Sequence, residues 1–410
     1  MSVLAQAQRL EDSIRGTVRW SVLLAASSGL AALFMFLTHV VAVRVLTTEE
    51  YGEFSSAIAL IGIIGVGATS VQAVTVKAVK NAVPRQAEFS TIQEVALLIA
   101  VSLIIGLSAA YLIHVGLVTA VLLGAWVPAA VMIARANGEI QGRELQSLLH
   151  GSTATITLAA LVVSGILSIF SSSVSSFLSG RLLVTVVFAG LLLRLTKVPP
   201  HKSISFLHRG LMHSTLLVST MWFAANLDVL VGRAVLDSTE VGEIAVAAML
   251  VNSVLLLPGL ISAVVYPKVI THRRNTPQLW RLLWPSLGLA GALQIAISLL
   301  LALSSSSLVD WLAGPDHEQA KSLVVSLSLA YIPIGIAIVA SQFVLGLGSL
   351  SDSVLFMLVT GLGTIVLTTA ASDAKSFISI LQLVAWILAG VLVVQALWMI
   401  RKIAHEEAQM

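Results

Sequence analysis

Apolar and polar residues do not alternate along this chain; they come in blocks. Long runs of Leu, Val, Ile and Ala are divided by short polar breaks. Each run is about 20 residues, the length that crosses a hydrocarbon core as helix. Strands of a membrane barrel would instead alternate in hydrophobicity over roughly 10 residues. The pattern therefore predicts an all-α integral membrane protein. Twelve transmembrane helices are predicted, at 20–43, 54–74, 92–115, 117–134, 148–170, 174–194, 210–230, 244–266, 282–305, 322–346, 354–371 and 376–400. The first run is too long for the core of a signal peptide and reads as a retained helix. Before it, Ala7, Leu10, Ile14 and Val18 recur at helical spacing. Residues 1–19 are expected to lie on the membrane surface as a short amphipathic segment.

Lys and Arg test this count. With these boundaries, eighteen of the 23 fall in alternate breaks on one side. Four (Arg44, Arg233, Lys321 and Lys375) fall on the other, and Arg181 lies within a span. Basic excess marks cytoplasmic loops, so both termini are expected in the cytoplasm.

Two of the sparse outer breaks resemble each other. "RVLTTEEYGEF", residues 44–54, and "RAVLDSTEVGEI", residues 233–244, share the order Arg, Leu, Glu, an apolar residue, then Gly-Glu. Their Gly-Glu pairs, Gly52-Glu53 and Gly242-Glu243, are 190 residues apart. Each break follows the first span of a six-span half, and the second span of each half runs into a basic segment. Two six-helix lobes of the same direction form a parallel repeat, which in transporters holds its cargo between the halves near the midplane. The expected organisation is an N-terminal lobe at 20–194, a cytoplasmic linker at 195–209 containing Pro199-Pro200, a C-terminal lobe at 210–400, and a cytoplasmic tail at 401–410.

Composition agrees: 57% of residues are hydrophobic and 10% charged, against roughly 25% charged in soluble domains. There is no cysteine, which excludes disulfides and thiolate metal sites. The net charge of +3 belongs to loop orientation and anionic lipid rather than to nucleic acid. No Walker A, HExxH, GxSxG or EF-hand pattern is present, and the loops leave no room for a catalytic domain. Neither an enzyme nor a cofactor is expected, and ATP hydrolysed by this chain cannot drive transport.

Ionisable groups within spans are costly and usually face a bundle interior or a water-filled path. Arg181, inside "FLSGRLLVTVVFAGLLL", reads either as a cavity cation for an anionic group or as an Arg snorkelling to the surface. Asp228 and Asn226 lie in the outer third of the seventh span, and His39 at similar depth in the first. They read as a proton or cation site, or as helix–helix hydrogen-bonding groups, Asp228 pairing with Arg233 in the second case. Arg44 and Arg233 can receive a substrate head group or pair with acids of their own loops. Lys77, Arg135, Lys268 and Arg19 end helices on the basic side, where entry to a cavity is expected. Pro128, Pro258-Gly259 and Pro333 are candidate kinks.

The residues 44–80 resemble the first helical hairpin of the polysaccharide transporter branch of the multidrug/oligosaccharidyl-lipid/polysaccharide exporter superfamily. Leu46, Tyr51, Gly52 and Phe54 match its L-x-x-x-x-Y-G-x-F segment. Residues 226–269 resemble the corresponding second region through Asp228, Gly232, Arg233, Val241, Gly242, Ile244, Tyr266 and Pro267. The resemblance implies a flippase in the inner or plasma membrane. It would carry polyprenyl-diphosphate-linked oligosaccharide from the cytoplasmic to the outer leaflet by alternating access. It also implies a cationic central cavity, coupling to H+, Na+ or membrane potential, and partners among polysaccharide-assembly proteins. Cations deep in the spans are few here, with Arg181 foremost. A drug or cation antiporter of the same superfamily is the alternative. A membrane glycan polymerase or transferase is a further one, disfavoured by the short outer loops.

Overall fold

The computed structural model describes residues 26–80 except 28, positions 102, 104, 107 and 111, and residues 114–142, 146–195 and 209–409. Its regular structure is helical throughout the described residues. The helices are α1 (Gly29–Val45), α2 (Thr48–Lys80), α3 (Leu117–Gly142), α4 (Gln146–Phe170) and α5 (Val174–Leu195) in the first half. The second half holds α6 (Arg209–Ala224), α7 (Leu227–Val235), α8 (Ser238–Asn252), α9 (Leu256–Thr271), α10 (Thr276–Leu312), α11 (Glu318–Leu347), α12 (Leu350–Ala370) and α13 (Ala374–Gln409).

Among the described residues, eight helices are long and apolar enough to cross a membrane, or nine when the bent pair α6–α7 counts as one span. The stretches Gly29–Val45 and Thr155–Phe170 are apolar but shorter. Most of the predicted span 92–115 lies outside the described residues, as do the segment 1–19, Arg19, and nearly all of the linker with Pro199-Pro200. Over the predicted tail at 401–410, α13 stays helical through Gln409. Its Arg, Lys and Glu residues are good helix formers, so the helix runs on past the apolar stretch.

Water is replaced here by lipid, and the outer faces are apolar accordingly: Phe170 and Leu303 are both 82% exposed. The core is built instead from small residues and a few rings. Helix α11 is the axis of the second half, with 72% of its apolar stretch buried, against 28% for α12. It packs on α8, α9, α10 and α13. Helix α3 packs on α2, α4 and α5 of the first half, and α2 is the link to the second, touching α3 on one side and α6, α7 and α8 on the other.

Helix ends are closed by local chemistry. Asn275 accepts from the Gln278 N–H at the start of α10, which has proline at its first turn. Ser349 and Asp352 form a reciprocal capping box on α12. Gly314, at φ 111°, ends α10 in the left-handed conformation that glycine adopts without strain.

Pro128 and Pro333 sit inside continuous helices. Pro258 follows a 3-10 turn at Ser253–Leu255, and the side-chain amide of buried Gln294 donates to the Val254 carbonyl at 3.4 Å. That carbonyl lies four residues before Pro258, which has no N–H to give it. The sharp bend is elsewhere: α6 and α7 meet at 64° across Ala225-Asn226, with no proline involved.

Candidate substrate and ion sites

The break at Ala225-Asn226 is stabilised group by group. The Asn226 backbone N–H bonds the Phe223 carbonyl at 3.0 Å, one residue short of the α-helical register. The Trp222 carbonyl it abandons is taken by the Asn226 side-chain amide at 2.8 Å. On the far side of the bend, Asp228 occupies the first turn of α7 and is 1% exposed. Its Oδ1 accepts from the Val229 N–H at 2.9 Å, a group that would otherwise reach back to the Ala225 carbonyl. The Tyr331 hydroxyl of α11 bridges both loose ends, at 2.8 Å from Asp228 Oδ2 and 3.2 Å from the Ala225 carbonyl. The break thus sets a buried carboxylate in the first turn of a half-helix, with a phenol from α11 donating to it. Arg233 is not its partner; the Arg233 Nε is buried without a hydrogen bond. Sequence reasoning missed Tyr331, although a tyrosine two residues before Pro333 in an apolar run was a signal.

The first half carries the opposite charge. Arg181 lies about 10 Å along α5 from its start, at 1.5 Å per residue. Its Nη1 reaches the Met35 sulfur of α1 at 2.7 Å, and its Cζ stands 5.9 Å from the Trp126 ring of α3. A thioether is a weak acceptor, and no described carboxylate pairs with this guanidinium. The indole Nε1–H of Trp126, a residue 5% exposed, is buried with no acceptor. Two kinds of donor thus converge with nothing strong to receive them. His39 stands near enough to feel the Arg181 charge. Its Nδ1 lies 3.0 Å from the Tyr51 hydroxyl, and its ring meets Phe54 edge-on at 5.3 Å between centroids. Arg181 and His39 are therefore neighbours, whereas Asp228 and Asn226 belong to a separate cluster in the other half.

The remaining cations are dispersed. Arg44 does not pair with the acids of its own loop: it donates to the backbone carbonyls of Leu312, at 2.8 Å, and Trp311. The carboxylates that sequence proximity offered are already engaged, and the Trp311 and Leu312 carbonyls lie in the last turn of α10, where helix carbonyls run out of intrahelical donors. Lys77 lies in the last turns of α2, Arg135 is half-buried on α3, and Lys268 is exposed near the end of α9. The two Gly-Glu acids turn out to be helix caps in matching places. Glu53 accepts from the Gly116 N–H at 3.2 Å and the Thr119 hydroxyl at 2.6 Å, at the start of α3. Glu243 accepts from the Ala320 N–H at 2.7 Å and meets His317 Nδ1 at 2.9 Å, at the start of α11. An apolar cavity of about 300 Å³ lies between α2, α6 and α12, lined by residues that include Ile63, Thr220, Phe223 and Met357.

This chain path is the fold of solved membrane transporters. The chain is similar to the lipid II flippase MurJ in an inward closed conformation, at 13% identity over 94% of this chain and 91% of that one, with a TM-score of 0.64. It is similar to the inward-facing conformation of a multidrug resistance MATE family transporter of the MOP superfamily, at 12% identity over 92% and 96%, with a TM-score of 0.64. The eukaryotic MATE transporter AtDTX14 matches at 14% identity over 96% of this chain and all of that one, with a TM-score of 0.63. At these identities the likeness is one of fold. No protein-family model matches the sequence, and no curated protein does.

Proposed function

We propose that the protein is a flippase for polyprenyl-diphosphate-linked oligosaccharide, working by alternating access between two six-helix lobes with cytoplasmic termini. The observation that carries this reading is Arg181. A guanidinium inside a span, set against Met35 and Trp126 with no described carboxylate beside it, calls for an anion from outside the protein. Its planar fork suits a phosphate. The shared fold with a lipid II flippase is consistent with such cargo. Arg19, Lys77, Arg135 and Lys268 are assigned to the entry on the basic side, and Arg233 to the opposite end. Arg44 is assigned there too, though its guanidinium is already engaged with α10. Asp228, Asn226 and Tyr331 are assigned to coupling with H+ or Na+, and His39 to modulation of the Arg181 site. The cell membrane is the proposed location, with polysaccharide-assembly proteins as partners.

A second reading has its own support. The buried Asp228–Tyr331 pair and the likeness to MATE structures also suit an antiporter of cationic drugs. The leaflet location of lipid-linked glycan in cells depleted of this protein separates the two, read with an outer-face glycan probe on spheroplasts. Accumulation of probe-inaccessible intermediates is expected. Normal exposure together with heightened sensitivity to cationic dyes would replace the flippase reading by the antiporter.

A further inference from the structure

The two Gly-Glu segments do more than cap helices: they touch each other. A Cβ built on Gly52 would stand 3.1 Å from the Gly242 nitrogen and 3.3 Å from its Cα, and one built on Gly242 would run into the Thr48 carbonyl. Backbone therefore meets backbone where α2 and α8 cross, and any side chain would force the helices apart. Glu49 and Thr239, each three residues before these glycines, are hydrogen-bonded at 3.3 Å. Gly52 with Gly242, and Glu49 with Thr239, are both pairs at the 190-residue offset of the two similar segments. Contact between equivalent positions is the mark of an isologous interface, with a local two-fold axis passing between them.

From this geometry we infer that the Gly52–Gly242 contact is a gate between the halves, closed in this structure at the end that carries the Gly-Glu segments. The inference rests on the alternating-access reading above. Three features define where it parts. Glu53 and Glu243 each fold back onto a helix of their own half, α3 and α11, so they travel with that half. The polar contacts across the outer rim of the seam are the exposed Glu49–Thr239 bond and Arg44 on the carbonyls of Trp311 and Leu312. One turn further along α2, the Ser56 hydroxyl bonds the Val229 carbonyl of α7 at 3.0 Å and is fully buried beneath the seam. The buried Val241 side chain and the Thr48 methyl pack against the glycine pair, while the exposed hydrogen bonds at the rim exchange readily with water. The contact is close enough to exclude cargo.

The chain contains no cysteine, so thiols can be placed without removing any. The double variant Glu49→Cys with Thr239→Cys, treated in membranes with a short cleavable bifunctional thiol reagent, should cross-link. Locking removes the open population, so lipid-linked glycan transfer should fall by more than ~100-fold and return when the linker is cleaved. A Ser56→Cys probe, read with a membrane-impermeant maleimide, reports opening without assuming any cargo. Gly242→Ala should speed its labelling about tenfold, and the cross-link should suppress it. Transfer that continues at full rate in the cross-linked protein would overturn the gate. So would Ser56→Cys labelling that neither Gly242→Ala nor the cross-link changes. If Gly242→Ala fails to fold, the cross-link arm decides alone. Labelling that responds as described while lipid-linked glycan exposure is normal would keep the gate and remove the flippase.

Discussion

Replacing Glu243 by Ala tests whether its carboxylate caps α11 from a neighbouring helix. The first residues of α11 have no cap of their own, since His317 at the N-cap position makes no side-chain capping bond. Glu243 stands in, accepting from the Ala320 N–H at 2.7 Å and meeting His317 Nδ1 at 2.9 Å, with both side chains 8% exposed. Removing it orphans two buried groups, each costing about 1–3 kcal/mol, and deletes a negative charge from a helix N-terminus, worth about 0.3–1 kcal/mol. A loss of about 3–5 kcal/mol is expected. Glu53→Ala is the matched control. Its bond to the Gly116 N–H is exposed and water can replace it, so a loss of about 1–2 kcal/mol is expected. Glu243→Gln keeps an oxygen for Ala320 and should fall between. Thermal unfolding of the purified protein in detergent, followed by tryptophan fluorescence, gives the order. A Glu243→Ala melting point equal to or above that of Glu53→Ala would refute the capping argument.

Other outcomes follow from the same contacts. Arg44→Ala should destabilise the fold by about 1–2 kcal/mol by freeing the carbonyls that end α10, seen in the same melt, with Lys restoring part of it. Arg181→Ala should impair glycan export at equal expression and Arg181→Lys retain part of it; normal surface glycan in the Ala variant removes Arg181 from the site. Asp228→Asn should abolish the dependence of transport on its ion gradient. Tyr331→Phe, which removes one hydrogen bond from a charged group, should weaken the apparent ion affinity about tenfold or more. Gradient dependence unchanged in both would reduce the cluster to a structural role.

The spacing of apolar runs and the placement of Lys and Arg determined that this chain is helical and belongs in a membrane, because lipid leaves backbone groups no partner but each other. The 190-residue offset between the Gly-Glu segments was likewise legible, since a repeat is a property of order along the chain. Arg181, Asp228 and His39 stood out for a related reason: an ionisable residue in an apolar run is costly wherever it points.

Which groups they meet was decided in three dimensions. Nothing near Asp228 in the chain names Tyr331, 103 residues away. Arg44 bypasses the acids beside it for carbonyls 267 and 268 residues on. The sharpest bend falls at Asn226 rather than at any proline, because a tyrosine from another helix is there to receive the loosened carbonyl and carboxylate. Local sequence sets a residue's solvation cost, while its partner is set by whichever helix the packing brings alongside. The same holds for Gly52 and Gly242: the repeat is written in the chain, but only the fold brings its two copies into contact.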